Sequence, residues 1–360
     1  MVAIFAALFW YIGTIVPADF KPGELTIVRG IDYIINTILT INVTYLLLAF
    51  LMYFGINLFF TVRLRYVLNK DGVKTSFGKT LLAQYAGMLT SDVTPGRSGY
   101  ILTPVYLRDQ SVPTSKSLSS VLGIQTIEFL VKVIGGVGAA VYLIKTVPTS
   151  NWPTTTIPLL GVNAMFFVIC LGIALMLTGA LILAAISWSS RAISIFDRIA
   201  NSRILKKFTG GLLGKIEEYR GSAQKTRKVI PQIFLLTIIC WVIKGFEWYF
   251  LGLALGITQI PWLAYFLIHP LVTALAFVPI TPAGAGVQEF GILGIMTLLF
   301  VSPSPATLAA IAAFAILARG LLIIEDLAGV PQIVKSASSL FSRKGPNQKT
   351  ETLDANSIQQ

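Results

Sequence analysis

Long apolar runs alternate with short polar segments along the chain, and the runs exceed what a soluble core requires. They cover roughly 2–16, 39–62, 118–144, 158–187, 230–256 and 305–330. About 20 mostly apolar residues in a helix cross the ~30 Å hydrocarbon core of a bilayer. The pattern predicts an all-α polytopic membrane protein with about six spanning helices. Two weaker apolar stretches, 77–107 and 262–301, are broken by TPGRSGY at 94–100 and TPAGAG at 281–286. Proline and glycine in these positions end helices and form turns. The first run, 2–16, lacks the basic leader and small-residue cleavage site of a signal peptide and reads as a short first membrane helix.

Charge orients the runs. Segments 63–79 and 188–229 and the residues after 329 are rich in Lys and Arg, whereas 146–157, 257–261 and 302–304 carry no charge and 17–38 is balanced. Basic loops stay on the cytoplasmic side, which places both termini there. One consistent side for every loop forces a further expectation: residues 80–113 leave the cytoplasmic side and return to it, and 262–301 leave and return on the outer side. Each is expected to be a re-entrant helical hairpin with its Thr-Pro motif at the turn. The arms of the second are also long enough to span fully, which keeps the topology and moves its turn to the inner face. The result is an inverted repeat, the arrangement of many transporters. Unit A covers about 39–145 and unit B about 230–330, within a membrane domain 1–332. A basic connector at 188–229 is expected on the inner surface, and 333–360 reads as a disordered cytoplasmic tail.

Composition sharpens this. The chain has 360 residues, 55% hydrophobic and 12% charged, with a net charge of +12. Positive-inside loops account for that surplus, so it does not indicate nucleic acid. Cys170 and Cys240 stand alone in apolar runs, and the single His269 has no partner at ligand spacing, so neither a disulfide nor a metal site is expected. There is no Ser–His–Asp set, HExxH, Walker A or acidic metal motif, and no catalytic residue or cofactor is expected.

Charges inside the apolar stretches are costly in lipid and should face the interior. They are Arg97, Glu128 and Lys132, Lys244 and Glu247, Glu289 and Arg319. Glu128–Lys132 at i,i+4 and Lys244–Glu247 at i,i+3 have two readings, local pairs that pin the bundle or parts of a site. Irregular backbone at membrane depth is tolerated only where protein or a wet cavity surrounds it. Pro95 and Pro282 break the helices, while Gly96, Gly99, Gly284 and Gly286 let amides turn inward, and Thr94 opens the first motif. A helix starting after each turn would aim its positive N-terminus inward, and Arg97 adds a fork suited to phosphate. The set suits an anionic headgroup.

TPGRSGYILTPVYLRD followed by Glu128, then PITPAGAGVQEFGILG followed by Arg319, resembles the flippase-like family, which is the membrane region of lysylphosphatidylglycerol synthases and its stand-alone relatives. RLRYVL at 63–68 resembles that family's Arg-aromatic segment. The resemblance covers about 1–332 and carries over Thr94, Pro95, Gly96, Arg97 and Gly99, then Pro282, Gly284, Gly286 and Glu289, then Arg319. The chain departs from the pattern at Tyr100, Phe129, Lys132 and Ala283, which leaves the headgroup open. The resemblance implies moving a lipid between leaflets of the cell membrane, a phospholipid or a polyprenyl-phosphate carrier. Lysine transfer is not expected without the fused synthases' soluble domain. Two alternatives share the architecture: a transporter of a small soluble anion, and a non-transporting partner of a glycosyltransferase or lipid synthase docked through 188–229.

Overall fold

The structure, a computed structural model, describes residues 2–342 except 18, 19, 22, 158–161, 190, 192–212, 277–280 and 283. Helices α1 (Val2–Ile15) and α2 (Thr26–Leu39) pack against each other. Helix α3 (Val43–Lys70) starts at Asn42, whose side chain accepts from the Thr44 amide at 3.0 Å; this satisfies a donor that the first turn leaves open. Helix α4 (Phe77–Val93) stops where Pro95 disfavours helical backbone at the residue before it, and Thr94 is extended at φ −106°, ψ 145°. The chain returns through a 3₁₀ turn at Ser98–Leu102, the short α5 (Thr103–Tyr106) and a second 3₁₀ turn at Arg108–Gln110. Gln110 Oε1 accepts from the Ser76 amide at 2.9 Å, which closes 76–110 into a hairpin.

Helix α6 (Thr114–Thr146) leads to a two-residue antiparallel pairing of Thr156–Ile157 with Val162–Asn163, then α7 (Ala164–Trp188). After α8 (Leu213–Lys228) and α9 (Ile230–Ala254), a second hairpin is made by α10 (Trp262–Ala276) and α11 (Val287–Thr297). Helix α12 (Pro305–Asp326) is capped by Ser304, whose hydroxyl accepts from the Thr307 amide at 3.1 Å, and α13 (Val330–Ser342) follows. The fold is an all-α polytopic membrane protein. Among the described residues, five helices are long and apolar enough to cross a bilayer.

Helices α3 and α9 pack antiparallel along their length. The Asn42 amide donates to Ala254 O at 2.9 Å at one end, and Arg63 meets Thr237 further along. Two apolar clusters divide the interior. One holds Ile56, Ala139, Trp248 and Phe314; the other holds Leu64, Val131, Ile233 and Tyr100. Helices α3, α6 and α9 each contribute to both, and their charged residues fall where the clusters meet. Ala309, Ala312 and Ala313 of α12 are buried, and such small side chains let helices approach closely where lipid supplies no hydrophobic drive.

Four expectations change. The first apolar run is helical but only 14 residues long, about 21 Å at the helical rise, so it is the one expected span that does not reach across by itself. The balanced segment 17–38 contains helix α2, whose apolar residues fall on one face and escaped a search for continuous runs. The expected tail begins inside α13, helical through Ser342 and tied down where Gln332 Nε2 donates to Tyr106 O at 2.6 Å. Residues 343–360, and most of the basic stretch at 191–208, lie outside the described residues. The first turn is followed by a five-residue 3₁₀ segment rather than by an α-helix.

Candidate functional site

The turn at 94–99 is built from its own hydrogen bonds. Thr94 Oγ1 accepts from the Gly99 amide at 2.7 Å and donates to Thr90 O at 2.9 Å. Gly96 and Arg97 take left-handed backbone, φ 60° and 54°, a conformation that glycine adopts freely and that costs an arginine ~1 kcal/mol or more. That strained arginine is the one whose guanidinium reaches inward. At the second turn Pro282 and Gly284 lead to Gly286, φ 87°, which caps α11. Pro95 and Pro282 face each other in an isolated antiparallel bridge, so the tips of the two hairpins meet.

An open cavity of about 80 Å³ lies beside this junction. Tyr53, Ile56 and Phe60 of α3, Met88 of α4, and Val131 of α6 form its apolar wall. Arg97, Glu128, Lys132 and Lys244 face into it, with Cys240, Trp241 and His269. A smaller cavity of about 30 Å³ shares Arg97, Lys244 and His269 and adds Gln288 and Arg319.

Each of these cations has a carboxylate partner, but the two members of a pair are placed differently. Arg97 pairs with Asp92 at 3.3 Å, Lys244 with Glu247 at 2.6 Å, and Arg319 with Glu289. The cations keep 14%, 12% and 12% of their side-chain surface exposed, their carboxylates 1%, 0% and 1%. The acids sit in the wall and the bases show at the surface. Glu128 is the exception. It is 14% exposed and takes Lys132 at 2.8 Å and Arg63 at 2.9 Å. The cavity surface is therefore cationic although the surrounding protein is nearly charge-balanced.

The sequence-derived candidates divide accordingly. Arg97, Glu128, Lys132, Lys244 and Arg319 come together around the cavities. Glu247 and Glu289 hold cations from behind. Thr94, Pro95, Gly96, Gly99, Pro282, Gly284 and Gly286 shape the turns. The expected open helix N-terminus at the second turn is closed, because Glu289 Oε2 accepts from the Gly286 amide at 2.5 Å and satisfies it from within.

Some residues escaped the sequence reading. Arg63 was grouped with a basic loop, but α3 continues past it and buries it to 1%, with Nη1 donating to Thr237 at 2.8 Å. Asp92 and Asp326 are buried charges that the rule applied to Glu128 would have flagged. His269 is packed, with Nε2 at 3.2 Å from Thr273 Oγ1 and its ring edge-on to Trp248. It also lines both cavities.

The family model of the lysylphosphatidylglycerol synthase TM region matches residues 2–324. The chain belongs to this family. A UPF0104 membrane protein of Pyrococcus horikoshii is 25% identical over 275 residues, which are 72% of this chain and 78% of that protein. The match to the lysylphosphatidylglycerol synthase membrane region spans both hairpins and every helix that lines the cavities. In this member Arg97 of the first hairpin and Lys244 of α9 line both cavities.

Proposed function

We propose that this protein translocates an anionic lipid, a phospholipid or a polyprenyl-phosphate carrier, between the leaflets of the cell membrane without catalysing a reaction. The observation that carries the reading is the placement of the ion pairs: bases at the cavity surface, their carboxylates in the wall. An entering phosphate meets cations already fixed in place, and little reorganisation is needed to bind it. The apolar wall of Ile56, Phe60, Met88 and Val131 suits the start of an acyl or prenyl chain better than a small hydrated anion.

The hairpins are read as re-entrant. Helix α11 has 11 residues, about 17 Å, which is too short to span. Hairpins entering from opposite faces would meet near the midplane, consistent with the Pro95–Pro282 bridge. Under this reading the termini are cytoplasmic, and the basic segment around α8 is where a glycosyltransferase or lipid synthase would dock.

The test is transbilayer transfer in liposomes of labelled phosphatidylglycerol and of a polyprenyl-phosphate analogue. Arg97→Ala and Glu289→Gln are expected to lose transfer while remaining folded. Wild-type protein that moves neither lipid refutes the proposal and shifts weight to a soluble anion or a partner role.

A further inference from the structure

One of the carboxylates behind the cavity, Asp92, has a second buried acid beside it, Asp326. Asp92 lies at the end of α4 and Asp326 at the end of α12, 7% and 0% exposed. Their carboxyl groups lie within hydrogen-bonding reach of each other. Asp326 Oδ2 accepts from Tyr53 Oη at 3.0 Å, and Asp92 Oδ1 accepts from Arg97 Nη2 at 3.3 Å. The remaining oxygens, Asp92 Oδ2 and Asp326 Oδ1, find no donor among the described residues. A buried acceptor without a donor is costly. Two touching carboxylates away from water do not both stay ionised, and such pairs hold a proton between them. That proton is the donor these oxygens lack.

The surroundings allow this. Tyr53 faces the pair from α3 and Lys244 from α9, while Glu247 of α9 acts on Tyr53. Arg319 comes from α12, and Glu325, beside Asp326, interacts with Tyr85 of α4. Among the described residues only Arg97 forms an ion pair with the dyad, and Arg97 also faces both cavities, where an anion would meet it.

We propose that Asp92 and Asp326 form a proton site coupled to the cavity: an anion that takes Arg97 from Asp92 draws a second proton onto the pair, so anionic cargo and proton move together. The cargo half rests on the reading of the cavity given above; the shared proton does not. By reciprocity, acid strengthens anion binding to the same degree that the anion promotes proton uptake.

The experiment is infrared spectroscopy of the full detergent-solubilised chain with isotope-labelled aspartate, which separates protonated aspartate from glutamate. At neutral pH the wild type is expected to show a protonated aspartate band, and Asp326→Asn to lose it. Arg97→Gln removes the countercharge as a bound anion would and should raise the band about twofold, whereas Arg97→Lys should leave it unchanged. Size-exclusion profiles check that each variant folds; if Arg97→Gln does not, the wild-type band and its loss in Asp326→Asn decide. No protonated aspartate in the wild type, or an unchanged band in folded Arg97→Gln, overturns the proposal. In liposomes, an inward proton gradient should speed phosphatidylglycerol transfer by wild type and not by Asp92→Asn. Absence of any transfer beside an intact band would count against the lipid reading and leave the proton site standing.

Discussion

Replacing Arg63 with methionine tests whether the buried ion triad holds the two units together. Arg63 is 1% exposed and joins three helices, donating to Glu128 of α6 at 2.9 Å and to Thr237 of α9 at 2.8 Å from its place in α3. Methionine fills much of the same volume and removes both bonds. Losing one member of a buried pair costs roughly 3–5 kcal/mol, because the remaining charge is left uncompensated. Here Glu128 retains Lys132 at 2.8 Å. The substitution also removes the buried Arg63 Nε, which has no acceptor among the described residues. Both effects favour the low end, about 3 kcal/mol. Lys132→Met is the comparison. It removes a partly exposed cation and leaves Glu128 its fully buried partner, so about 1–2 kcal/mol is expected. The assay is equilibrium unfolding in mixed micelles titrated with SDS. Unmasking of the buried Cys240 thiol reports unfolding in a background where the exposed Cys170 is serine. If Arg63→Met costs under about 1 kcal/mol, or no more than Lys132→Met, the triad is not the joint described here.

Other parts of the fold can be tested in the same way. Gly286→Ala forces a β-carbon onto φ 87° and should cost about 1–2 kcal/mol in the same titration. Asn42→Ala deletes the side-chain cap of α3 and should cost about 1 kcal/mol, with Asn42→Ser recovering most of it. Pro95→Cys with Pro282→Cys should form a disulfide under mild oxidation, since paired residues in an antiparallel bridge sit about 4.5–5.5 Å apart; failure to cross-link would place the hairpin tips apart.

The spans at 43–70, 114–146, 230–254 and 305–326 were legible because unbroken apolar length is a local property that the bilayer selects for. Both turns were legible for a similar reason, since proline and glycine act on the backbone within a few residues. Helix α2 was not, because its apolar residues are spaced around a helix rather than strung together. Asp92 and Asp326 each carry the buried-charge signal that marks Glu128, but which acid lies beside which depends on contacts far apart in the chain, so the pair itself was not legible.

By itself, then, the sequence determined an all-α membrane protein, two proline- and glycine-broken stretches and a set of charges too costly to face lipid. Only the tertiary structure decided how those charges are used. It moved Arg63 from a basic loop into the triad with Glu128 and Lys132. It sealed the α11 N-terminus with Glu289. It also set bases at the cavity surface and acids behind them. The physical reason is range. Helix formation, chain breaking and partition into lipid depend on neighbours within a few turns, whereas the Arg63–Glu128 pair and the cavities depend on atoms brought together from distant parts of the chain.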